Sequence, residues 1–312
     1  MKILVLLEGS EEQRALLRRS VPGAAFTFDA APTEEAVREA EVIVGNPPPA
    51  WLRGAEALRL LQLETAGVNP YLGDVLPSRA MLCNAAGAYG PAIAEHMLAM
   101  LLCLYKRLPV YEENRKAALW RDEGTVRTVE GSAVLVVGLG DIGREFARRA
   151  HALGASVRGV KRTPGEAPEY LAGLYTLDRL DELLPQADTV LLSLPSTPKT
   201  RGLFHRERME RMKPGAVLLN AGRGDAVDSD ALAASLQTGR LGGAGLDVTD
   251  PEPLPPEHPL WQAPNLLITP HVSGGHHAAG TVERIFRIAA DNLRAYAEGA
   301  PLTHRVDLRE GY

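Results

Sequence analysis

The chain is short of cysteine, of aromatic side chains and of long apolar runs, and each shortage excludes a class of protein. Two cysteines, Cys83 and Cys103, are too few for a disulfide framework or a cysteine-based metal cluster. Reduced, buried thiols in a cytosolic protein are the expectation. The apolar start, Ile3 to Leu7, lacks the longer core and small-residue cleavage site of a signal peptide, and reads as a first strand. No segment reaches the roughly 20 apolar residues that a membrane helix needs. Residues 92–104 come nearest, but Glu95 and His96 interrupt them and Lys106 closes the run. Positive charge is not in excess. The formal net charge of −5 argues against a nucleic-acid partner or an anionic membrane surface. An anionic small molecule is still allowed, because the local field of a pocket can oppose the overall sign.

What is present is the composition of an ordinary globular protein, 45% hydrophobic and 23% charged. At 312 residues the chain exceeds the usual size of one hydrophobic core, so about two domains are expected. Short apolar runs at 2–7, 24–28, 42–44, 59–64 and 81–84 alternate with helical patterns. Thr33 is placed to cap one of these helices, with Glu34 and Glu35 in its first turn. Residues 47–49, all proline, break regular structure. A long helical pattern at 91–107 is expected to bridge two domains, and the polar stretch 111–130 reads as surface connection.

A second, stronger series begins at Ala133. Strands are expected at 133–137, 156–160, 189–193, 216–220, 243–247 and 266–269. Helices fall between them, and a last helix runs from 282 to 298. The fold class is therefore α/β, with two doubly wound parallel-sheet domains. A six-strand Rossmann dinucleotide-binding domain, residues 98–285, is inserted in a flavodoxin-like substrate domain, residues 1–97 and 286–312.

The glycine loop Gly138-Leu-Gly-Asp-Ile-Gly143 directly follows a strand and opens a helix. Gly138 permits the tight turn, Gly140 lets the backbone approach a pyrophosphate, and Gly143 allows close helix packing. The helix N-terminus then offers free amides and partial positive charge to the anion. At the end of the next strand an acid would grip the ribose 2′-hydroxyl. Lys161, Arg162 and Thr163 stand there instead. Two cations and a hydroxyl suit a 2′-phosphate, so NADP(H) is preferred over NAD(H).

Three residues downstream carry chemistry. Arg223 lies just past a strand, between Gly222 and Gly224, where a parallel sheet places its ligands. Glu252 sits among Pro251, Pro253, Pro255 and Pro256, which hold its loop in one shape. His271 follows the last strand, with Ser273, Gly274 and Gly275 beside it. A guanidinium binds a carboxylate and polarises a carbonyl. An imidazole passes one proton near neutral pH, and a neighbouring carboxylate holds it protonated. His96 reads as a packed or interhelical residue. His276 and His277 border the pocket but are assigned no proton, and as adjacent residues they do not share a helix face as metal ligands would. No metal is expected.

The glycine loop, Asn220-Ala-Gly-Arg-Gly224, Asp250-Pro-Glu-Pro253 and Thr269-Pro-His-Val-Ser-Gly274 occur in the order of one family. The chain resembles the D-isomer-specific 2-hydroxyacid dehydrogenases over nearly its whole length. The resemblance implies Arg223 as the substrate-binding and polarising arginine, Glu252 as the histidine's partner and His271 as acid/base. It implies that Asp247 faces the nicotinamide carboxamide, and that Ala66, Gly67 and Val68 hold the substrate carboxylate on backbone amides. Asp141, Ile142, Leu194, Pro195, Ala221 and Gly274 are expected to complete the cofactor contacts. Lys161 departs from the family's usual aspartate, and Tyr89 stands where many relatives carry asparagine. A homodimer is implied by the resemblance alone.

The expected reaction is reduction of a small 2-oxo acid, glyoxylate or hydroxypyruvate in type, to the D-2-hydroxy acid. A non-catalytic NAD(P)-sensing interaction protein could use the same fold, but a sensor needs no proton donor. An NAD-dependent enzyme of the D-lactate or phosphoglycerate dehydrogenase kind is the other alternative. A methyltransferase with a similar glycine loop leaves the arginine, glutamate and histidine unexplained.

Overall fold

The computed structural model describes residues 1–275 and 278–308. The chain divides into two compact units, residues 1–89 with 276–312, and residues 90–275.

The first unit begins with β1 (Lys2–Val5), α1 (Glu11–Ser20), β2 (Ala25–Phe28), α2 (Glu34–Glu39), β3 (Val42–Val44), α3 (Pro49–Leu52), β4 (Leu60–Gln62) and β5 (Met81–Cys83). Ser10 caps α1 by accepting the Gln13 amide hydrogen, and the Gln13 side chain accepts from Ser10 in return. Thr33 caps α2 through the Ala36 amide, as the sequence implied. The strands pair in parallel in the order β2-β1-β3-β4-β5, which is the flavodoxin-like order. Val42, Ile43 and Val44 of β3 are at most 1% exposed, because a parallel sheet is covered on both faces. The proline run does not exclude helix entirely. Pro49 opens α3, where a missing N–H costs nothing in a first turn.

The second unit contains α4 (Gly90–Tyr105), α5 (Leu108–Lys116), β6 (Ala133–Val137), α6 (Asp141–Ala152), β7 (Ser156–Val160), β8 (Gly173–Tyr175), α7 (Leu180–Leu183), β9 (Thr189–Leu192), α8 (Arg206–Arg211), β10 (Val217–Asn220), α9 (Ser229–Gln237), β11 (Gly243–Leu246) and β12 (Leu266–Ile268). Its seven parallel strands run β12-β11-β10-β9-β6-β7-β8. The seventh strand, β8, is absent from the sequence expectation. Its three residues are too few to show a period, and only pairing with β7 makes them a strand. The stretch expected to be plain connection begins with α5, whose exposed face carries Glu112–Arg115 and Glu113–Lys116 pairs at helical spacing.

Helix α4 belongs wholly to this second unit. It buries Ala94, Met97, Met100, Leu101 and Tyr105, and it packs on α6, β10 and β11. The divisions at 89/90 and 275/276 therefore fall earlier than the expected 97/98 and 285/286. The chain re-enters the first unit before α10 (Ala279–Glu298), which packs on α1 and buries Ile285, Phe286, Ala289, Ala290 and Leu293. Each such buried aliphatic or aromatic side chain contributes about 1.5–3 kcal/mol. Cys83 is buried and Cys103 only half-buried, and both are free. Burial, partly offset by Arg305, pushes the Cys83 thiol up to about 11.

Asp188 ties the amino ends of the second sheet together. It accepts the Ala133 amide at 2.8 Å and Lys213 Nζ at 2.7 Å, with Arg127 at 3.4 Å. Burial alone would raise its carboxyl. The bonds from Lys213 and Ala133 outweigh burial and hold it below the ordinary carboxylate range. A depressed folded pKa means that the stabilisation is full above the unfolded value, about 3.9, and is lost as pH falls through the folded one. Asp188→Asn should therefore cost about 1–3 kcal/mol in urea unfolding at pH 7, with the gap to the parent protein closing below about pH 4. A gap that persists unchanged in acid would show that the carboxylate's charge is not what matters.

Candidate active site

The strand order of the second unit reverses at β6, so the loops after β6 and β9 flank its switch point. After β6 the chain turns at Gly138, whose φ of +101° suits glycine. A Cβ on Gly143 would lie 1.9 Å from the Gly138 carbonyl oxygen, so α6 can approach the turn only with glycine there. A Cβ on Gly140 would meet nothing within 4 Å. Gly140 caps α6 with no side chain on the first amides, and Ile142 follows in the first turn. Tight outer glycines, an open middle one and uncapped helix amides together fit a pyrophosphate. Asp141 is committed elsewhere: its Oδ2 accepts the Gly90 amide at 2.6 Å and ties α6 to the start of α4.

Across the switch point, Ser193 Oγ donates to the Gly138 carbonyl at 2.7 Å. Leu194 and Pro195 follow, and Thr200 Oγ1 donates to the Pro195 carbonyl at 2.6 Å. Lys161 stands directly after β7, with its amide donating to Tyr175 at 3.0 Å. Its side chain is half-buried, and Arg162 and Thr163 are exposed.

Strands β10, β11 and β12 are neighbours, so the loops leaving their carboxyl ends share one edge of the sheet. Past β10, buried Ala221 continues the ladder by donating to Leu192 at 3.0 Å. Asn220 folds the loop back. It accepts the Gly222 amide and donates to the Arg223 carbonyl, each at 3.0 Å. Arg223 Nη1 donates to the Gly222 carbonyl at 2.8 Å, and the guanidinium makes no ion pair among the described residues. A Cβ on Gly224 would lie 1.9 Å from the Thr249 carbonyl oxygen, so this loop is pressed against the one that carries Glu252.

Glu252 Oε1 and His271 Nδ1 are 2.6 Å apart, with both side chains about half-exposed. His271 has a φ of +52°, the left-handed region, which costs of order 1–3 kcal/mol outside glycine. Its amide donates to the Asp247 carbonyl at 2.8 Å. Asp247 is 2% exposed. Its Oδ1 accepts from Thr269 Oγ1 at 2.6 Å and from the Val272 amide at 3.0 Å. Its Oδ2 accepts from the Ser273 amide at 3.1 Å and from Ser273 Oγ. A carboxylate offers about four lone-pair sites, and these bonds fill them. Asp247 thus braces the His271 loop. Gly274 follows, half-buried.

The structure thus joins Glu252 to His271 and sets the Arg223 loop beside theirs. His205 pairs locally with Glu207, and His258 accepts the Leu260 amide. His276 and His277 lie outside the described residues. His96, expected to be a packed or interhelical residue, places its Nε2 3.0 Å from Thr269 Oγ1, a distant partner that nothing in its position on α4 signalled.

In the first unit, the Ala66-Gly67-Val68 turn follows β4. Asn84 Nδ2 donates to the Ala66 carbonyl at 2.9 Å, and Thr65 Oγ1 to the Gly67 carbonyl at 2.8 Å. Asn46 braces Thr65 at 3.1 Å. The turn's carbonyls are therefore held, while its three amides find no acceptor among the described residues. Tyr89 donates to the Glu64 carbonyl and Tyr71 to the Pro47 carbonyl, the latter at 2.9 Å. Burial first and Glu64 second push the Tyr71 hydroxyl up to about 12 and Tyr89 higher, so both remain neutral donors.

Residues 98–273 match the model of the NAD-binding domain of D-isomer-specific 2-hydroxyacid dehydrogenases. The chain belongs to this family. It is an NAD(P)-dependent enzyme of that family, and its described helices include none long and apolar enough to cross a membrane. Glyoxylate/hydroxypyruvate reductase B of Yersinia enterocolitica is 33% identical over 273 residues, 85% of this chain and 83% of that protein. A D-isomer-specific 2-hydroxyacid dehydrogenase family protein from Aeromonas salmonicida superposes with a TM-score of 0.86 at 33% identity, covering 98% of this chain and 99% of that one. The NADPH-dependent glyoxylate/hydroxypyruvate reductase of Sinorhizobium meliloti, solved with NADP and sulfate, gives a TM-score of 0.84 at 28% identity, covering 100% and 99%.

The Gly143 geometry has a direct test. Gly143→Ala should weaken NADPH binding about 10- to 100-fold in a fluorescence titration, the equivalent of about 1–3 kcal/mol of overpacking displaced onto the loop. Unchanged affinity would mean that the loop does not contact the cofactor.

Proposed function

We propose that this dehydrogenase reduces a small 2-oxo acid of the glyoxylate or hydroxypyruvate type to the D-2-hydroxy acid, with NADPH preferred over NADH. The observation that carries the reading is the 2.6 Å pair of His271 and Glu252, held beside the loop of an arginine that has no carboxylate partner among the described residues. Similarity to reductases named for glyoxylate and hydroxypyruvate supports the substrate class. Lys161, Arg162 and Thr163 at the end of β7 support the cofactor preference, since they can bind a 2′-phosphate that a carboxylate would repel.

In this reading Gly138, Gly140 and Gly143 hold the pyrophosphate, and Leu194, Pro195, Ala221 and Gly274 line the remainder of the cofactor site. Bound NADPH supplies the hydride for the substrate's carbonyl carbon. The amides of Ala66, Gly67 and Val68 take the substrate carboxylate. Arg223 donates to the carbonyl oxygen as its negative charge develops, a kind of contact whose loss typically costs about 10²–10³ in rate. Glu252 accepts the Nδ1 hydrogen of His271 and so orients the ring, leaving Nε2 to give its proton to that oxygen. The charge of Glu252 lies opposite the charge that the ring carries when protonated.

A panel of 2-oxo acids assayed with NADPH and with NADH tests the reading. Glyoxylate or hydroxypyruvate with NADPH should give the highest kcat/KM, and His271→Ala should lower kcat by about 10²–10⁴ with NADPH binding retained. Equal use of NADH, or a D-lactate-type substrate preference, would replace the cofactor and substrate assignments. Full turnover by His271→Ala would remove the proton donor.

We also infer a homodimer. Leu108, Leu119, Trp120 and Val126 are exposed around and beyond α5, and Trp120 is fully so. Large apolar side chains left exposed along one stretch of chain favour association. Sedimentation at micromolar concentration should report a dimer that Trp120→Asp weakens, and a parent protein that sediments as a monomer would end the inference.

A further inference from the structure

We infer that His96 is a positioning residue for His271, acting through Thr269 and Asp247. The inference deepens the reading above and rests on His271 as the proton donor. His96 sits on α4, which packs against α6, β10 and β11 and is therefore anchored in the unit's core. From it a continuous chain runs to the loop of His271. His96 Nε2 lies 3.0 Å from Thr269 Oγ1, and Thr269 Oγ1 lies 2.6 Å from Asp247 Oδ1.

The direction of that chain follows from hydrogen counting. An ionised Asp247 can only accept. Thr269 has one hydroxyl hydrogen, and it must go to Asp247. Thr269 Oγ1 then accepts from His96, so Nε2 of His96 carries hydrogen. The same carboxylate accepts the amides of Val272 and Ser273 and the hydroxyl of Ser273. Asp247 therefore gathers donors from both sides of His271, and His96 tethers that assembly to a helix.

The tether matters because of the backbone it steadies. A histidine at φ +52° stays there only if its surroundings over-determine the conformation. Asp247 does this with its carbonyl, which takes the His271 amide, and with its carboxylate, which takes the flanking residues. Removing the Nε2–H donor loosens the Thr269 hydroxyl and weakens its bond to Asp247, since bonds in such a chain strengthen one another. Small displacements of a reacting group are costly in rate. His205 pairs with Glu207, and His258 engages the Leu260 amide and Asp230, so neither is bonded to this loop.

The test uses His96→Leu and His96→Gln in the full-length protein, with His271→Ala alongside. Glutamine can still donate an N–H to Thr269, whereas leucine cannot. His96→Leu should lower kcat about tenfold, the scale on which outer hydrogen-bond partners act, with KM and NADPH affinity within about twofold of the parent. Amide hydrogen exchange at Val272 and Ser273 should be about tenfold faster in His96→Leu, with β11 unchanged, and His96→Gln should restore both readouts. Parent-like exchange at Val272 and Ser273 in His96→Leu would overturn the inference, whatever the activity. So would a loss that His96→Gln does not recover. Active His271→Ala protein with fast loop exchange in His96→Leu would instead sink the proton-donor reading and, with it, the catalytic meaning of the tether.

Discussion

One buried carboxylate organises the second unit's reactive edge. Asp247 directly follows the central strand of the β10-β11-β12 group, and its oxygens accept four hydrogens from the loop after β12. A carboxylate at 2% exposure without such donors would cost several kcal/mol. With them, each charge-assisted bond is worth roughly 1.5–3 kcal/mol. The loop can therefore hold a histidine in a backbone conformation that it would otherwise leave. The backbone geometry of the His271 loop is a by-product of satisfying one desolvated charge.

The two ends of the second sheet divide their labour. At the amino ends, Asp188 is bonded by Lys213 and Ala133 and ties the strands together. At the carboxyl ends, a tight backbone approach at Gly143 presses α6 against its own turn, and one at Gly224 presses the loop after β10 against the loop after β11. Parallel sheets favour this division, because every strand leaves on the same edge and carries its connection there.

The first unit reaches a comparable end by different means. Its turn after β4 has carbonyls held by Asn84 and Thr65, which leaves the amides as the turn's available polarity. The buried amides of Gln62 and Asn292 meet at 2.6 Å and tie α10 to the end of β4 behind it. Amide donors fixed in this way carry no net charge, so they can take an anion in a chain whose overall charge is −5.

Local sequence determined much of this protein. Apolar runs set strands of both sheets, Ser10 and Thr33 set helix starts, and the glycine spacing set the turn into α6, because each depends on the preferences of adjacent residues. Arg223, Glu252 and His271 stood out for the same reason, through their immediate neighbours. Only tertiary structure decided what lay beyond that range. Strand β8 exists because β7 offers it a partner, and α4 belongs to the second unit because α6 and β11 cover its apolar side. Asp247 turned out to brace a loop, and His96 to reach Thr269, because hydrogen bonds between residues far apart in the chain leave no trace in the spacing of either.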